Sequence, residues 1–508
     1  MDNAELALED LHNYPSGVFT RLKKAPSQHQ VQQYARFWVR ERDMFAEHLM
    51  INMAWVTLMG EQGFVERPDA AAILGALREI EAGGADGFNY NPANGDTYFN
   101  IESTVIGKLG EEIGGKMYTG RTRVDGEPTI KRMYLRRRLL DVADLIADLA
   151  DVLLNLAGDH LESVMPGYTG FQAGQPWTFG HFLLSFADAF ARDHERVQGA
   201  FARMNRSLLG GAAGSGSDIP FDRVRVANLL GFDALIENSR EWCTAVDCLV
   251  EAVSACAILM GHVGQICNDI LTFCTQEFGM AELGDDFSST SSFMPQKKNP
   301  NSLYNIRAAA SGFASYLPGL LSVMRTSSND FDVNKPPMTD RVLEAFDETT
   351  YNLDYLTASL ATLEFHVETA RDHAFNLWTA AVEIATLMVR ERGVAWRTSH
   401  RVTERFMRIA LESGSKPGDV TGEMLDEAAQ AILGRRLELT TEQVRQALDP
   451  MQFIRTRRTQ GSPNPEESAR MLADRRQAWA ELRGWTKAKR DQLAGARSEL
   501  DRAMAAFG

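Results

Sequence analysis

Apolar residues recur every three or four positions over long stretches of the chain, and the strict alternation that marks a half-buried strand is scarce. The helical period runs through 130–160, 181–205, 236–278, 301–325 and 340–365. Several of these stretches exceed the usual helix length and are apolar over much of their surface. Such helices must pack on one another, which predicts a long helical bundle in the middle of the chain. Gly and Pro gather at 91–96, 165–176, 209–220, 284–300 and 329–340, and the breaks are expected there. Beyond about residue 370 the periodic stretches shorten and become more amphipathic. The fold class is therefore all-α, with two or three domains expected from the length and a separate C-terminal one beginning near residue 371. The segment TQGSPNPEE (459–467) reads as a mobile linker.

Composition narrows the function classes. A chain of 508 residues, 44% hydrophobic, can bury a large core, and a net charge of −15 argues against a nucleic-acid partner. An anionic small-molecule substrate stays open, because a basic pocket can sit inside an acidic protein. The first residues, MDNAELALED, lack the charged and apolar regions of a signal peptide. The longest apolar stretch, 248–264, is interrupted by Glu251 and His262 and reads as a buried helix rather than a membrane span. Cys243, Cys248, Cys256, Cys267 and Cys274 share one helical stretch without CxxC pairing, so reduced core thiols and a cytoplasmic setting are expected. The glycine-rich 209–220 has no GKS or GKT ending and reads as an interhelical connection, not a phosphate loop.

One stretch is not explained by solvation alone. SSFMPQKKNP (291–300) places two serines, a Met-Pro step, two lysines and an Asn-Pro in ten residues. Its pattern, Ser-Ser-x-Met-Pro-x-Lys-x-Asn-Pro, resembles the signature loop of the fumarase/aspartase superfamily, and the QKKNP form resembles the argininosuccinate lyase branch. YTGRTRVD (118–125) is similar to that branch's HTGRSRND, and GYTGFQAGQP (167–176) to its GYTHLQxAQP. Segments 101–116, 209–223, 277–289 and 375–402 follow the same family in order, so the resemblance covers roughly 20–475.

The resemblance implies an all-helical subunit of three domains, placed at 1–116, 117–370 and 371–508, with a homotetrameric twenty-helix core and active sites built from three subunits. It implies fumarate release from a succinyl compound without a cofactor or metal. The partners are a small dicarboxylate or amino acid substrate and further copies of the chain, with no nucleic acid and no membrane. Removing a proton beside a carboxylate requires a base and groups that hold the doubly charged enediolate. By motif position Ser291 is the base, Lys297 grips a carboxylate and Asn299 orients it. Thr122, Arg123, Thr169, Gln172 and Asn52 are the further substrate-binding positions; an arginine fork suits a carboxylate. A serine alkoxide is a costly base unless loop N–H groups and a lysine stabilise it. Gly284 and the Ser/Thr run beside it suit a loop that closes as a lid.

The chain also departs from the pattern. The family histidine of GYTH is Gly170, and its glutamate partner is Tyr304; the His of HTGR is Tyr118 and the Asn of SRND is Val124. The Tyr-and-Gln segment that holds the arginine end is not recognisable in 328–340. An alkylamine enters a site as an ammonium and can leave as a neutral amine without a dedicated acid. These departures point to an N-substituted aspartate, such as an aminopolycarboxylate, as substrate, with Tyr304 or Tyr118 as possible proton donors. The alternatives are argininosuccinate itself and a non-catalytic, crystallin-like scaffold.

Overall fold

The computed structural model describes residues 27–243, 245–325 and 336–508. The chain is all-α and multi-domain, with short two-stranded pairings at its connections. Its N-terminal helices are α1 (Gln28–Glu41), α2 (Phe45–Glu61), α3 (Arg67–Gly87), α4 (Thr97–Leu109) and the single turn α5 (Glu111–Gly114). Ser27 and Gln30 form a capping box that opens α1, and Asp96 caps α4 by accepting from the Phe99 N–H. Helix α2 is apolar on all sides and almost wholly buried.

The bundle begins with α6 (Arg123–Asp159), 37 residues long and opened by a capping box between Thr122 and Asp125. A hairpin of β1 (Val164–Thr169) and β2 (Gln172–Thr178) turns the chain into α7 (Phe179–Met204). The 165–176 segment, expected only as a break, is thus a strand pair. Its Gly and Pro residues hid the pairing because they sit at a bulge and in the turn. Helix α7 returns along α6: the Arg132 guanidinium near the start of α6 donates to the Arg203 and Met204 carbonyls. Strand β3 (Arg206–Ser207) pairs in parallel with β4 (Ala234–Leu235), on either side of α8 (Arg223–Leu229). The glycine-rich connection at 209–220 docks on α6, where the Gly210 and Ala212 N–H groups donate to Asp125 at 2.8 and 3.1 Å.

Helix α9 (Asp247–Phe273) starts beside Arg132 and runs to the hairpin end. By length and composition it is the one described helix apolar enough to cross a membrane. More than half of its apolar window is buried against neighbouring helices, the role expected of a core helix. The expected 236–278 helix is shorter at its start because 239–243 form a 3-10 turn. Cys248, Cys256 and Cys267 are free and buried on α9, and burial pushes the last two thiols up to about 12. The side chain of Cys243 lies outside the described residues.

Strand β5 (Ala281–Glu282), β6 (Ser289–Thr290) and β7 (Lys298–Asn299) frame the signature loop, followed by α10 (Asn301–Gly312) and α11 (Tyr316–Met324). Helix α12 (Pro336–Leu360) packs on α6 and α9 and ends at β8 (Glu364–Phe365), the partner of β5. Residues 326–335, most of the segment expected to be rebuilt, lie outside the described residues.

Helices α13 (Val367–Asn376), α14 (Val382–Arg392), α15 (Trp396–Glu412), α16 (Gly422–Leu433), α17 (Thr441–Leu448) and α18 (Pro450–Arg455) follow. Residues between Ile384 and Leu448 enclose their own core around Phe406, Leu425 and Val444. The expected shortening of helices stops there, since α19 (Pro465–Ala505) has 41 residues and is the longest of all. Its buried Met471, Leu472, Trp479, Leu500 and Met504 join the main core. It lies antiparallel to α6, with Arg483 on Asp148 and Asp151, and Arg490 on Asp141 and Asp144. The arginines are seven residues apart, two helical turns, so they return to the same face.

Candidate active site

The signature loop is pinched at its neck by two antiparallel pairs, Ser289 with Asn299 and Thr290 with Lys298. Asn299 also donates its side-chain amide to the Ser289 carbonyl at 3.2 Å. Below the neck, the Gly284 N–H donates to Thr362, which ties the loop to the end of α12. Within the loop the Ser291 Oγ accepts from the Phe293 and Met294 N–H groups at 3.2 and 3.0 Å. Two aligned donors are what a developing alkoxide needs, because each favours the charged form of the oxygen.

The two lysines are not equivalent. Lys298 is held by Glu282 at 2.6 Å and Asp285 at 2.7 Å. Lys297 is exposed and has no ion-pair partner among the described residues, so its ammonium is available to an incoming anion. Phe293 at the loop tip is 89% exposed, an unusual position for so large an apolar side chain. Tyr304 follows on the first turn of α10 and is also exposed.

The second motif segment closes the hairpin. Thr169 and Gln172 are paired partners, exposed, with only Gly170 and Phe171 between them. Both linking residues have positive φ, +58° and +59°, as a two-residue primed turn requires. For Gly170 this is free of strain, and no atom lies within 4 Å of where a Cβ would stand. For Phe171 it is an outlier costing on the order of 1 kcal/mol, and sequence reading passed over it. A Gly-Phe pair between two site candidates was the available signal.

The third segment lies at the start of α6. Thr122 spends its hydroxyl on the Val124 N–H, as a helix cap does. Arg123 donates to Asp96 at 2.6 Å, a carboxylate the sequence reading did not connect to it. Asn52 is buried on α2 and accepts from Arg121, which stands over the Tyr118 ring with its guanidinium carbon 4.7 Å from the centroid. Tyr118 stacks on Tyr98 at 3.9 Å and donates its hydroxyl to the Tyr98 carbonyl. Burial holds the Tyr118 hydroxyl well above its ordinary pKa, so its proton is already committed within the chain. Nearby, burial lifts the Glu41 and Glu127 carboxyls to about 7 and lowers the His48 imidazole to about 4.

These segments do not meet within one chain. The hairpin and signature loop sit at the far end of the bundle, where Phe365 stacks on Phe179 and faces His160. Thr122, Arg123, Asn52 and Tyr118 sit at the near end. Between them runs α6, whose 37 residues span about 55 Å at a helical rise of about 1.5 Å per residue.

Comparison with known proteins fits this geometry. A lyase family model matches residues 27–312, and an argininosuccinate lyase C-terminal model matches 378–455. The argininosuccinate lyase of Methanothermobacter thermautotrophicus is 34% identical over 84% of this chain and 91% of its own length. That of Methanothrix thermoacetophila is 34% identical over 92% of each chain. Among solved structures, EDDS lyase in complex with formate has a TM-score of 0.84 and 28% identity, covering 95% of this chain and 96% of its own. The chain thus belongs to the argininosuccinate lyase branch of the fumarase/aspartase superfamily and is a carbon–nitrogen lyase of the fumarate-releasing type.

Proposed function

We propose that the protein eliminates fumarate from an N-substituted aspartate, with Ser291 as the base. The observation that carries this reading is the pair of N–H groups on the Ser291 Oγ, beside Lys297, which has no ion-pair partner among the described residues. As Ser291 takes the proton from the carbon beside the carboxylate, negative charge moves onto that carboxylate. Lys297 and Asn299 hold it, and the C–N bond breaks with its electron pair going to the nitrogen, which enters as an ammonium and departs as a neutral amine. Arg123 and Thr122, with Thr169 and Gln172, bind the carboxylates from neighbouring copies. The span of about 55 Å between the two ends of α6 supports a site assembled from several subunits. A scaffold would have no need of the Ser291, Lys297 and Asn299 set, so the loop gives that alternative no support.

Two readings of the amine stand on different observations. Arginine has the wider support from the comparisons, since the named sequence relatives are argininosuccinate lyases. An alkylamine or aminopolycarboxylate is favoured by the residues: Gly170 leaves open space where the branch has histidine, and Tyr304 stands where it has the glutamate partner. The likeness to EDDS lyase adds to that second reading. An amine panel in the fumarate-addition direction separates them. Preference for arginine over every alkylamine assigns the protein as an argininosuccinate lyase. Preference for alkylamines or diamines assigns the rebuilt pocket. In that case Gly170→His lowers activity with the native amine, and adding Tyr304→Glu restores part of it.

A further inference from the structure

Between the hairpin, the first turns of α7 and the last turns of α9 lies a cavity of about 640 Å³, a size that holds a small organic ligand. Its wall starts at the hairpin tip with Tyr168 and the strained Phe171 and continues through Trp177, Phe182 and Phe278. The rings are packed as a box: Tyr168 lies 5.5 Å from Phe278, and Phe182 lies 5.5 Å from Phe273. Among these rings stands one carboxylate, Asp269, half-buried and without a hydrogen bond or ion pair among the described residues. Burial pushes its carboxyl pKa up, as expected where no cation answers it. His181, the only basic side chain of the lining, has its pKa lowered by burial and adds no opposing charge at neutral pH.

Ring faces carry partial negative charge, and a lone carboxylate among them asks for a cation with an apolar body. We infer that this cavity is a binding site for an organic ammonium ion, with Asp269 taking the charge and Phe171 closing the mouth. The inference deepens the reading above and rests on it for the ligand's origin, because an amine is what that reaction releases. It also accounts for Phe171, which is 88% exposed in a backbone conformation that Gly or Asn would adopt more easily.

Calorimetric titration of the full-length protein with phenethylammonium, and with 3-phenylpropionate as its anionic counterpart, tests the site. The wild type should bind the ammonium saturably and the anion far more weakly. Asp269→Asn should weaken ammonium binding by about tenfold. Phe171→Asn should weaken it severalfold while leaving the melting temperature unchanged or higher, since Asn tolerates positive φ. Absence of saturable binding, equal binding of the anion, or unchanged binding by Asp269→Asn would overturn the inference. Fumarate release is measured on the same samples. Elimination without ammonium binding removes this site and keeps the reaction, whereas binding without elimination keeps the site and removes the reaction.

Discussion

At the scale of single residues, the loop motif points to the proposed chemistry and the structure shows what surrounds each of its groups. Ser291, Lys297 and Asn299 were legible because their spacing is unusual and does not depend on what packs around them. The motif position already named Lys297; what was not legible is the role of its neighbour, since Glu282 and Asp285 claim Lys298 from outside the motif. Lys297→Ala should therefore lower both substrate affinity and turnover, while Lys298→Ala should act mainly through the order of the loop. Steady-state kinetics check this, and the reverse ranking would exchange the two assignments. The buried Glu41 yields a pH prediction. Its carboxyl, which accepts from the Thr97 N–H, is raised to about 7 in the folded chain from 4.5. The folded state then binds more protons than the unfolded one between those values, so this group makes stability fall as pH rises from about 4.5 to 7. Glu41→Gln, which cannot ionise, should gain melting temperature relative to wild type at pH 8 and show little gain at pH 4.5. A gain that is the same at both values would refute the ionisation account.

At the scale of elements, helical periodicity identified α6, α7, α9, α10 and α12, whose buried faces are long enough to carry the signal. The β1–β2 hairpin escaped because its pairing depends on partners three to fourteen residues away and on a turn that contains an outlier. The length of α19 escaped for another reason. Its mean composition is polar, and its partner face is the acidic ridge Asp141, Asp144, Asp148 and Asp151 on α6, more than three hundred residues earlier. The ion pairs line that contact while Trp479 is buried within it, and burial of so large a ring is expected to outweigh exposed ion pairs. Trp479→Ala should cost about 3–5 kcal/mol in denaturant unfolding, whereas Arg483→Ala should cost no more than about 1 kcal/mol. Equal losses would mean that the ladder, not the core contact, holds the helix.

At the scale of the whole molecule, the length of α6 separates Thr122 and Arg123 from the signature loop, so the proposed site needs more than one copy of the chain. If the site is shared, mixed oligomers made by refolding Ser291→Ala with Arg123→Ala should regain activity well above either variant alone, because some sites then draw both intact segments from different subunits. A mixture no more active than its components would place the whole site within one chain. The motif resemblance already implied a site shared among copies, and the length of α6 supports that expectation by a route the motifs do not contain. The central claim, fumarate elimination with Ser291 as base, is tested most directly by following fumarate formation by the wild type and Ser291→Ala. Each is given argininosuccinate and N-alkyl and aminoethyl aspartates. The wild type should release fumarate from at least one of them, and Ser291→Ala should be slower on that substrate by about two to four orders of magnitude, with its assembly unchanged. Fumarate release by Ser291→Ala within a few-fold of wild type would contradict the account.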